Sequence, residues 1–211
     1  GTATLRVQGV DEIHGLKGNV PPDRIEAGTL LLAAAMTRGH VKLTRCSVPQ
    51  LQALLDTLEL AGVPLERGSD WVRVHAEGAI FRNPVIQTAP YPGYPTDLQA
   101  QWMAFATQAE GTTLIREGIY PERFLHAAEL VRLGAQIEVS DGSARVHGPT
   151  RLSGAPVLAS DLRASAALVL AGLVAEGKTV VKRVYHLDRG YERLEEKLSS
   201  LGASVRRVVD E

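Results

Sequence analysis

The chain has 211 residues, of which 45% are hydrophobic, and its charged side chains nearly balance at a formal net charge of −1. This is enough material for one large globular domain or two small ones. The near-neutral charge gives no reason to expect nucleic acid or an anionic membrane as a partner. No apolar run reaches the roughly 18 residues of a membrane-spanning helix, so we expect no membrane insertion.

Cysteine and histidine usage argues against disulfides and metal sites. Cys46 is the single cysteine, which excludes an internal disulfide and a cysteine-based zinc site and suggests an ordinary thiol. The six histidines show no metal-ligand spacing, so we predict no metal and no other cofactor. The composition is typical of a reducing compartment, and we expect a cytoplasmic protein without a signal peptide.

Residues 1–20 differ from the rest of the chain. Apolar and polar residues alternate from Thr4 to Val10 before Asp11, Glu12 and Gly15 interrupt the pattern, which predicts two short strands and a turn. No helix is predicted here. These strands are expected to belong to a sheet whose other strands lie outside this chain.

From Pro22 onward the sequence repeats one pattern three times, over about residues 22–80, 95–150 and 160–211. Each unit opens with an aspartate ahead of an apolar helix that ends at a glycine 16, 14 and 16 residues later. A second helix ends at another glycine, a further 23, 23 and 25 residues on. The opening aspartates are Asp23, Asp97 and Asp161. Such spacing predicts a β-α-β-α-β-β unit used three times.

The predicted elements follow in chain order. Unit one has a helix over 27–36, a strand over 40–43, a helix after Pro49 and strands near 63–66 and 71–75. Unit two has a helix from Asp97, a strand over 112–115, a helix opened by 121–123 and strands over 136–139 and 144–147. Unit three has a helix from Asp161, a strand over 178–181, a helix over 191–201 and one strand over 204–209.

The first and second helices of each unit differ in polarity. The first helices are apolar nearly all round, as in Leu30–Ala35 and Ala166–Ala171, and helices of this kind are buried on every side. The second helices are amphipathic and should face water. We therefore predict an α/β fold of inside-out type, with three buried inner helices surrounded by sheets and outer helices.

The stretch around Asp97 is predicted to deliver a carboxylate to the start of a helix. Thr96 is a suitable N-cap, and Gln99 three residues later completes a capping-box pattern. Pro95 prevents a helix from entering from upstream. Asp97 would lie in the first helical turn, where the helix dipole favours a carboxylate. A helix cap remains the simpler interpretation of each of the three aspartates.

Several arginines occupy positions that the helix dipole disfavours. Arg24 and Arg163 fall in the first turn of a first helix, and Arg123 and Arg189 are predicted at the start of a second helix. Each such charge costs roughly 0.3–1 kcal/mol. Equivalent helix starts converge in a three-fold repeat, so these arginines could form an anion-binding surface. The alternative is that arginines pair with the aspartates beside them in sequence.

Asp97 differs from the other two aspartates, because no arginine neighbours it in sequence. An unpaired carboxylate in a positively charged cleft is a candidate general base or hydroxyl-binding group.

Five stretches together resemble the C-terminal half of the UDP-N-acetylglucosamine 1-carboxyvinyltransferase family, which is EPSP synthase-like. They run in family order and are Asp23–Thr29, Pro95–Gln101, Arg123–His126, Asp161–Ala166 and His186–Glu192. The resemblance implies an inside-out α/β fold of two similar domains with the active site between them. It also implies transfer of enolpyruvyl from phosphoenolpyruvate to the 3′-hydroxyl of UDP-N-acetylglucosamine, with release of phosphate, as the first committed step of peptidoglycan synthesis.

The resemblance also assigns roles to individual residues. Asp97 would hold the accepting hydroxyl and act as the base, and Arg189 would help bind the phosphate of phosphoenolpyruvate; both are catalytic candidates. Ile119 would contact the nucleotide sugar, while Arg123 and Arg163 would line the closing cleft. The implied substrate-binding set is Asp97, Ile119, Arg123, Asp161, Arg163 and Arg189.

This sequence departs from the family pattern in two respects. Glu122 stands where the family usually has asparagine. The family's N-terminal half, which carries a mobile loop with a general-acid cysteine, has no counterpart here, and Cys46 does not match that cysteine. The family's C-terminal domain also borrows a short segment from the extreme N-terminus, whose absence would fit the shortened third unit.

We therefore expect residues 1–21 to be the end of the missing half and residues 22–211 to be the C-terminal domain. Two functions stay open. In one, the chain is half of the transferase, inactive alone, with the missing half as its partner. In the other, it is a non-catalytic ligand-binding or structural domain.

Overall fold

The computed structural model describes residues 4–208. Residues 4–20 contain no strand or helix, so the two predicted strands are wrong over this range. Leu5, Val7 and Val10 are all more than two-thirds exposed. A strand needs a partner edge to satisfy its backbone, and residues 5–20 pair with no strand among the described residues.

The remaining elements follow the predicted three-fold order. The first group is α1 (Arg24–Met36), β1 (His40–Thr44), α2 (Gln52–Leu60), β2 (Leu65–Arg67) and β3 (Trp71–His75). The second is β4 (Ile86–Gln87), α3 (Gln99–Ala106), β5 (Gly111–Arg116), α4 (Leu125–Arg132), β6 (Gln136–Ser140) and β7 (Ser143–Gly148). The third is β8 (Pro156–Leu158), α5 (Leu162–Val174), β9 (Val180–Lys182) and α6 (Leu194–Ser200). Short 3₁₀ helices cover Val48–Leu51, Thr96–Leu98 and Val184–Arg189.

The sheets repeat one arrangement. The order is β1-β3-β2 in the first sheet and β4-β5-β7-β6 in the second, so the last strand of each group lies between the two before it. This last strand is antiparallel to both of its neighbours. Val41 of β1 lies opposite Val74 of β3, and Thr113 of β5 lies opposite Val146 of β7. The strands β4 and β8 instead pair in parallel with the strand that follows the inner helix.

The third sheet contains only β8 and β9 among the described residues. The strand predicted over 204–209 is wrong for residues 204–208, and residue 209 lies outside the described part. In the first two sheets a middle strand pairs with both of its neighbours. No such strand stands beside residues 204–208, which therefore have no ladder to join.

The three inner helices α1, α3 and α5 pack against one another. All eight residues of α3 are buried, as are most of those in α1 and α5. The amphipathic helices α2 and α4 bury only one face. The predicted burial of the first helices is confirmed, and the architecture is the expected inside-out α/β arrangement.

The inner helices begin in two different ways. Asp23 caps α1 by accepting from the backbone N–H of Ile25 at 2.7 Å. Asp161 caps α5 in the same way, accepting from Arg163 N at 2.7 Å and Ala164 N at 2.9 Å. The cap interpretation is thus confirmed for these two aspartates, and each carboxylate satisfies N–H groups that a helix start leaves free.

The start of α3 is different, and the predicted capping box is wrong. Residues 96–98 form a 3₁₀ turn with Pro95 at its N-cap position and no side-chain cap. The Thr96 hydroxyl is bound elsewhere, and the Gln99 amide is fully buried with no hydrogen-bond partner in the described part of the chain. Asp97 therefore lies in the turn before α3 with its carboxylate available to other groups.

Candidate anion-binding site

Asp97 lies between two guanidinium groups. Its Oδ1 accepts from Arg123 Nη1 at 3.1 Å and from Arg163 Nε at 3.2 Å. Arg123 comes from the loop before α4, and Arg163 from the first turn of α5. The prediction of an unpaired carboxylate is wrong, because both cations come from positions distant in sequence. Of the four arginines predicted to meet at the starts of the helices, Arg123 and Arg163 come together at Asp97.

The two arginines hold Asp97 in its ionised form. Partial burial raises the pKa of the Asp97 carboxyl, but the hydrogen bonds and charges of Arg163 and Arg123 outweigh it and leave the pKa below its ordinary value. Burial likewise lowers the pKa of Arg163, but Asp97 and the Tyr191 hydroxyl reverse this and raise it. Asp97 therefore holds two cations, and the two guanidinium groups share its one carboxylate.

A buried carboxylate that the sequence did not single out supports Asp97 from behind. Glu117 follows β5 and is only 5% exposed. Its Oε2 accepts from the Thr96 hydroxyl at 3.0 Å, and that hydroxyl accepts from Arg123 Nη1 at 3.1 Å. The helix dipole concerns only charges at helix ends, so an acid that follows a strand gives no such signal in the sequence.

The same carboxylate organises the loop that contains Ile119. Glu117 Oε1 accepts from the backbone N–H groups of Ile119 at 3.0 Å and Tyr120 at 3.1 Å, and from the Thr88 hydroxyl. Ile119 is half-buried. The structure thus links the Ile119 loop to the Asp97 turn through a single side chain.

A polar cluster fastens the third group of elements to the inner helices. The Tyr191 hydroxyl lies 2.9 Å from Thr29 Oγ1 of α1 and accepts from Gln101 Nε2 of α3 at 3.1 Å. Thr29 gives its only hydroxyl hydrogen to Ile25 O, so Tyr191 is the donor to Thr29. Tyr191 is 2% exposed, whereas the sequence placed it on a water-facing helix.

Asp161 and His126 lie behind the arginines. The Asp161 carboxylate is committed to capping α5, and its charge favours protonation of His126. His126 is 2% exposed in the first turn of α4. Burial, aided by the charge of Arg123, lowers the pKa of His126 to about 4. The imidazole is therefore neutral at physiological pH.

Arg189 takes no part in the Asp97 cluster. It ends the 3₁₀ helix Val184–Arg189, so its predicted place at the start of a second helix is wrong; α6 begins at Leu194. Its side chain is exposed and makes no hydrogen bond or ion pair within residues 4–208. A Cβ at Gly190 would lie 2.8 Å from Leu162 Cδ2. The backbone beside Arg189 therefore packs on the start of α5, where Arg163 lies.

The alternative that arginines pair with adjacent aspartates is not what the structure contains. Asp188 binds Arg207 through both guanidinium nitrogens, at 2.9 and 2.5 Å, and the hydrogen bond from Arg207 lowers the pKa of Asp188. The guanidinium of Arg24 lies 5.8 Å from the centre of the Tyr91 ring. Arg123 precedes α4 rather than starting it.

Two further observations bear on the expected chemistry. Cys46 is buried, its thiol donates to Asp70 O at 3.6 Å, and burial raises its pKa, which disfavours a reactive thiolate. Among residues 4–208, no three histidine, cysteine or acidic side chains are placed to hold a metal ion. None of the helices in that range is both long and apolar enough to cross a membrane.

The fold and the site together define an inside-out α/β protein in which two arginines share one carboxylate at the starts of its inner helices. The sequence pattern of the EPSP synthase (3-phosphoshikimate 1-carboxyvinyltransferase) family matches residues 1–198. The chain belongs to this family.

Two curated relatives show how much of a longer protein the chain represents. UDP-N-acetylglucosamine 1-carboxyvinyltransferase of Koribacter versatilis is 53% identical over 99% of this chain and 48% of its own length. The protein of the same name from Methylacidiphilum infernorum is 55% identical, over 99% of this chain and 49% of its own length. The chain spans about half the length of the curated relatives it matches.

Solved structures agree with the fold. The enolpyruvyl transferase NikO from Streptomyces tendae superposes with a TM-score of 0.81 at 34% identity, covering 88% of this chain and 44% of that protein. EPSP synthase from Acinetobacter baumannii gives a TM-score of 0.62 at 18% identity, covering 78% and 39%. The second likeness concerns the fold alone.

Proposed function

We propose that this chain forms half of an enolpyruvyl transferase that acts on phosphoenolpyruvate and UDP-N-acetylglucosamine. The reaction joins the 3′-hydroxyl oxygen of the sugar to C2 of the enolpyruvyl group and breaks the bond from C2 to the phosphate oxygen. The hydroxyl proton leaves and inorganic phosphate is released. The names of the curated relatives and the Asp97 cluster support this proposal.

The observation that carries the proposal is the Asp97 carboxylate held between Arg123 and Arg163. Both substrates are anions, and guanidinium groups bind phosphate and carboxylate through paired hydrogen bonds. When a substrate anion draws these guanidinium groups away from Asp97, the pKa of the carboxyl rises toward its ordinary value. Asp97 then becomes a better base at the moment that the sugar hydroxyl arrives.

Arg189 is proposed to bind the phosphate of phosphoenolpyruvate. Arg123 and Arg163 are already engaged with Asp97, whereas the exposed Arg189 has no ionic partner among the described residues. An uncommitted guanidinium close to the start of α5 can accept a phosphate without first breaking an ion pair. Ile119 is proposed to contact the nucleotide sugar, and Asp161 to hold the start of α5 on the substrate side of the cleft.

The proposed reaction is the first committed step of peptidoglycan synthesis, which places the protein in the cytoplasm. In this proposal residues 1–21 belong with the other half of the enzyme and residues 22–211 form this domain. The half that is not present here supplies the general acid. The chain alone is therefore expected to release no phosphate from the two substrates.

A hybrid protein tests the proposal. The N-terminal half of the Koribacter versatilis relative is fused ahead of this chain, and phosphate release is measured with both substrates. We expect turnover by the hybrid and none by the chain alone. The Asp97→Asn variant of the hybrid should lose about 10²-fold or more in turnover, as for removal of a general base.

Asp56→Asn provides the matched control, because Asp56 is an exposed aspartate of α2 bonded only to Gln52. Its turnover should equal that of the unmodified hybrid. Equal turnover in Asp97→Asn and Asp56→Asn would remove Asp97 from the mechanism. Phosphate release by the chain alone would show instead that the other half is dispensable.

A further inference from the structure

We propose that Glu117 is a positioning residue that couples the Asp97 turn to the Ile119 loop, so that base and sugar-binding loop are held in one geometry. The proposal rests on the function proposed above for Asp97 and Ile119. Glu117 itself is only 5% exposed and bonds to both segments, so its proposed role is indirect.

Every contact that the structure gives this carboxylate comes from a donor. Oε1 accepts from the Thr88 hydroxyl, Ile119 N and Tyr120 N, and Oε2 accepts from the Thr96 hydroxyl. A carboxylate is the one side-chain group that accepts on both atoms. The surroundings therefore select a side chain with two acceptor oxygens at this position, and an amide would place its NH₂ against a donor.

The Oε2 side controls Arg123. A threonine hydroxyl has one hydrogen, and that of Thr96 is directed to Glu117, which leaves its lone pairs free to accept from Arg123 Nη1. The same Nη1 donates to Asp97 Oδ1. Without the acidic acceptor the hydroxyl could rotate its hydrogen toward Arg123 and repel it. Through Thr96, Glu117 thus orients the Arg123 guanidinium, which in turn holds the Asp97 carboxylate.

The Oε1 side controls the loop. Thr88 donates its hydroxyl hydrogen to Glu117 and accepts from Gly118 N at 2.9 Å. A Cβ at Gly118 would lie 2.5 Å from Thr88 O, so the loop backbone lies directly against the backbone of Thr88, which follows β4. The Thr96 and Thr88 hydroxyls thus bind different oxygens of the Glu117 carboxylate. Thr96 connects the carboxylate to Arg123, and Thr88 connects it to Gly118 N of the Ile119 loop.

This arrangement allows the two sides to be separated in the hybrid enzyme. Thr96→Val removes only the Oε2 side and should lower kcat by about 10-fold or more with a nearly unchanged KM for the nucleotide sugar. Thr88→Val removes the hydroxyl that joins Oε1 to Gly118 N, while the Ile119 and Tyr120 N–H bonds to Oε1 remain, and should raise that KM with a nearly unchanged kcat. Glu117→Gln should affect both constants. Thr96→Ser keeps the hydroxyl and should restore kcat.

Thr113→Val is the matched control, since Thr113 is a buried threonine of β5 whose hydroxyl donates to Pro84 O, away from the site. The Thr113→Val variant should lose about as much stability as Thr96→Val, while its kcat and its KM for the nucleotide sugar stay those of the unmodified hybrid. If Thr113→Val lowers kcat as much as Thr96→Val, the loss is one of stability and the coupling is refuted.

A second measurement needs no catalysis. The carboxyl carbon of Asp97 is titrated by NMR in the 211-residue chain, the Glu117→Gln variant and the Thr96→Val variant. Loosening of Arg123 should raise the pKa of Asp97 in both variants. An unchanged titration would overturn the proposal. Since this readout is independent of turnover, an inactive hybrid would count against the proposed function alone.

Discussion

His126 makes folding sensitive to mild acid. Its ring is 2% exposed, and Nε2 finds no hydrogen-bond partner in the described part of the chain. Burial first, and the charge of Arg123 second, lower its pKa from the ordinary 6.5 to about 4, although Asp161 opposes the change. Between about pH 6.5 and 4, His126 is therefore protonated in the unfolded chain and neutral in the folded chain.

The sign and size of the effect follow from this difference. Between the two pKa values the unfolded state binds more protons, so stability is full above about pH 6.5 and is lost as the pH falls toward 4. Over the whole window the loss approaches about 3 kcal/mol, of which about 2 kcal/mol has occurred by about pH 5. That is a large share of the roughly 5–15 kcal/mol expected for a whole domain.

Urea denaturation at about pH 7.5 and about pH 5 measures the loss, and the His126→Gln variant isolates it. Glutamine cannot titrate, so the variant should lose about 2 kcal/mol less between these two pH values than the unmodified chain. His14→Gln serves as the control, because His14 lies in the exposed segment before α1. The reasoning is refuted if all three proteins show the same pH dependence.

Two stability predictions follow from the inner-helix contacts. Tyr191→Phe should lower the free energy of unfolding by about 1–3 kcal/mol, because the buried hydroxyl bonds to Thr29 and Gln101. The exposed Tyr185→Phe is the comparison in urea denaturation, and equal values would contradict the assignment. Asp23→Ala should lower the free energy of unfolding by about 0.5–2 kcal/mol, because it removes the α1 cap. Asp23→Asn should keep most of the capping stabilisation, since asparagine also caps helices. An alanine variant that melts with the unmodified chain would show that the cap is not needed.

The inner helices could be predicted from the sequence because a helix that is buried on every side has apolar residues all round. The run from Leu30 to Ala35 contains no polar residue, and no amphipathic surface helix tolerates this. The outer helices were placed less well. The 3₁₀ turns Val48–Leu51 and Val184–Arg189 come before α2 and α6, and such tight turns share the residue preferences of a helix start.

The site itself was only partly predictable. The sequence analysis singled out Asp97, Arg123 and Arg163, which the structure brings together, and Arg189, which lies outside the Asp97 cluster. It treated Asp97 as unpaired because only neighbours along the chain were compared. Arg123 lies 26 residues away, and Arg163 comes from another repeat. Glu117 and Tyr191 were missed as site-forming residues for the same reason, since their partners come from separate elements and no local pattern encodes such contacts.

An arginine in the first turn of an inner helix, where the helix dipole disfavours it, does belong to the site. Arg163 faces the positive end of α5, an arrangement that costs roughly 0.3–1 kcal/mol if nothing compensates. Its bond to Asp97 does compensate, because that carboxylate comes from the start of a different helix. The Asp97–Arg163 pair joins the starts of α3 and α5. Without the Asp97 carboxylate, the positive end of α5 would repel the Arg163 guanidinium. In the proposed function a substrate anion takes the place of Asp97 on the same guanidinium, and the negative charge of that anion then compensates the misplaced cation.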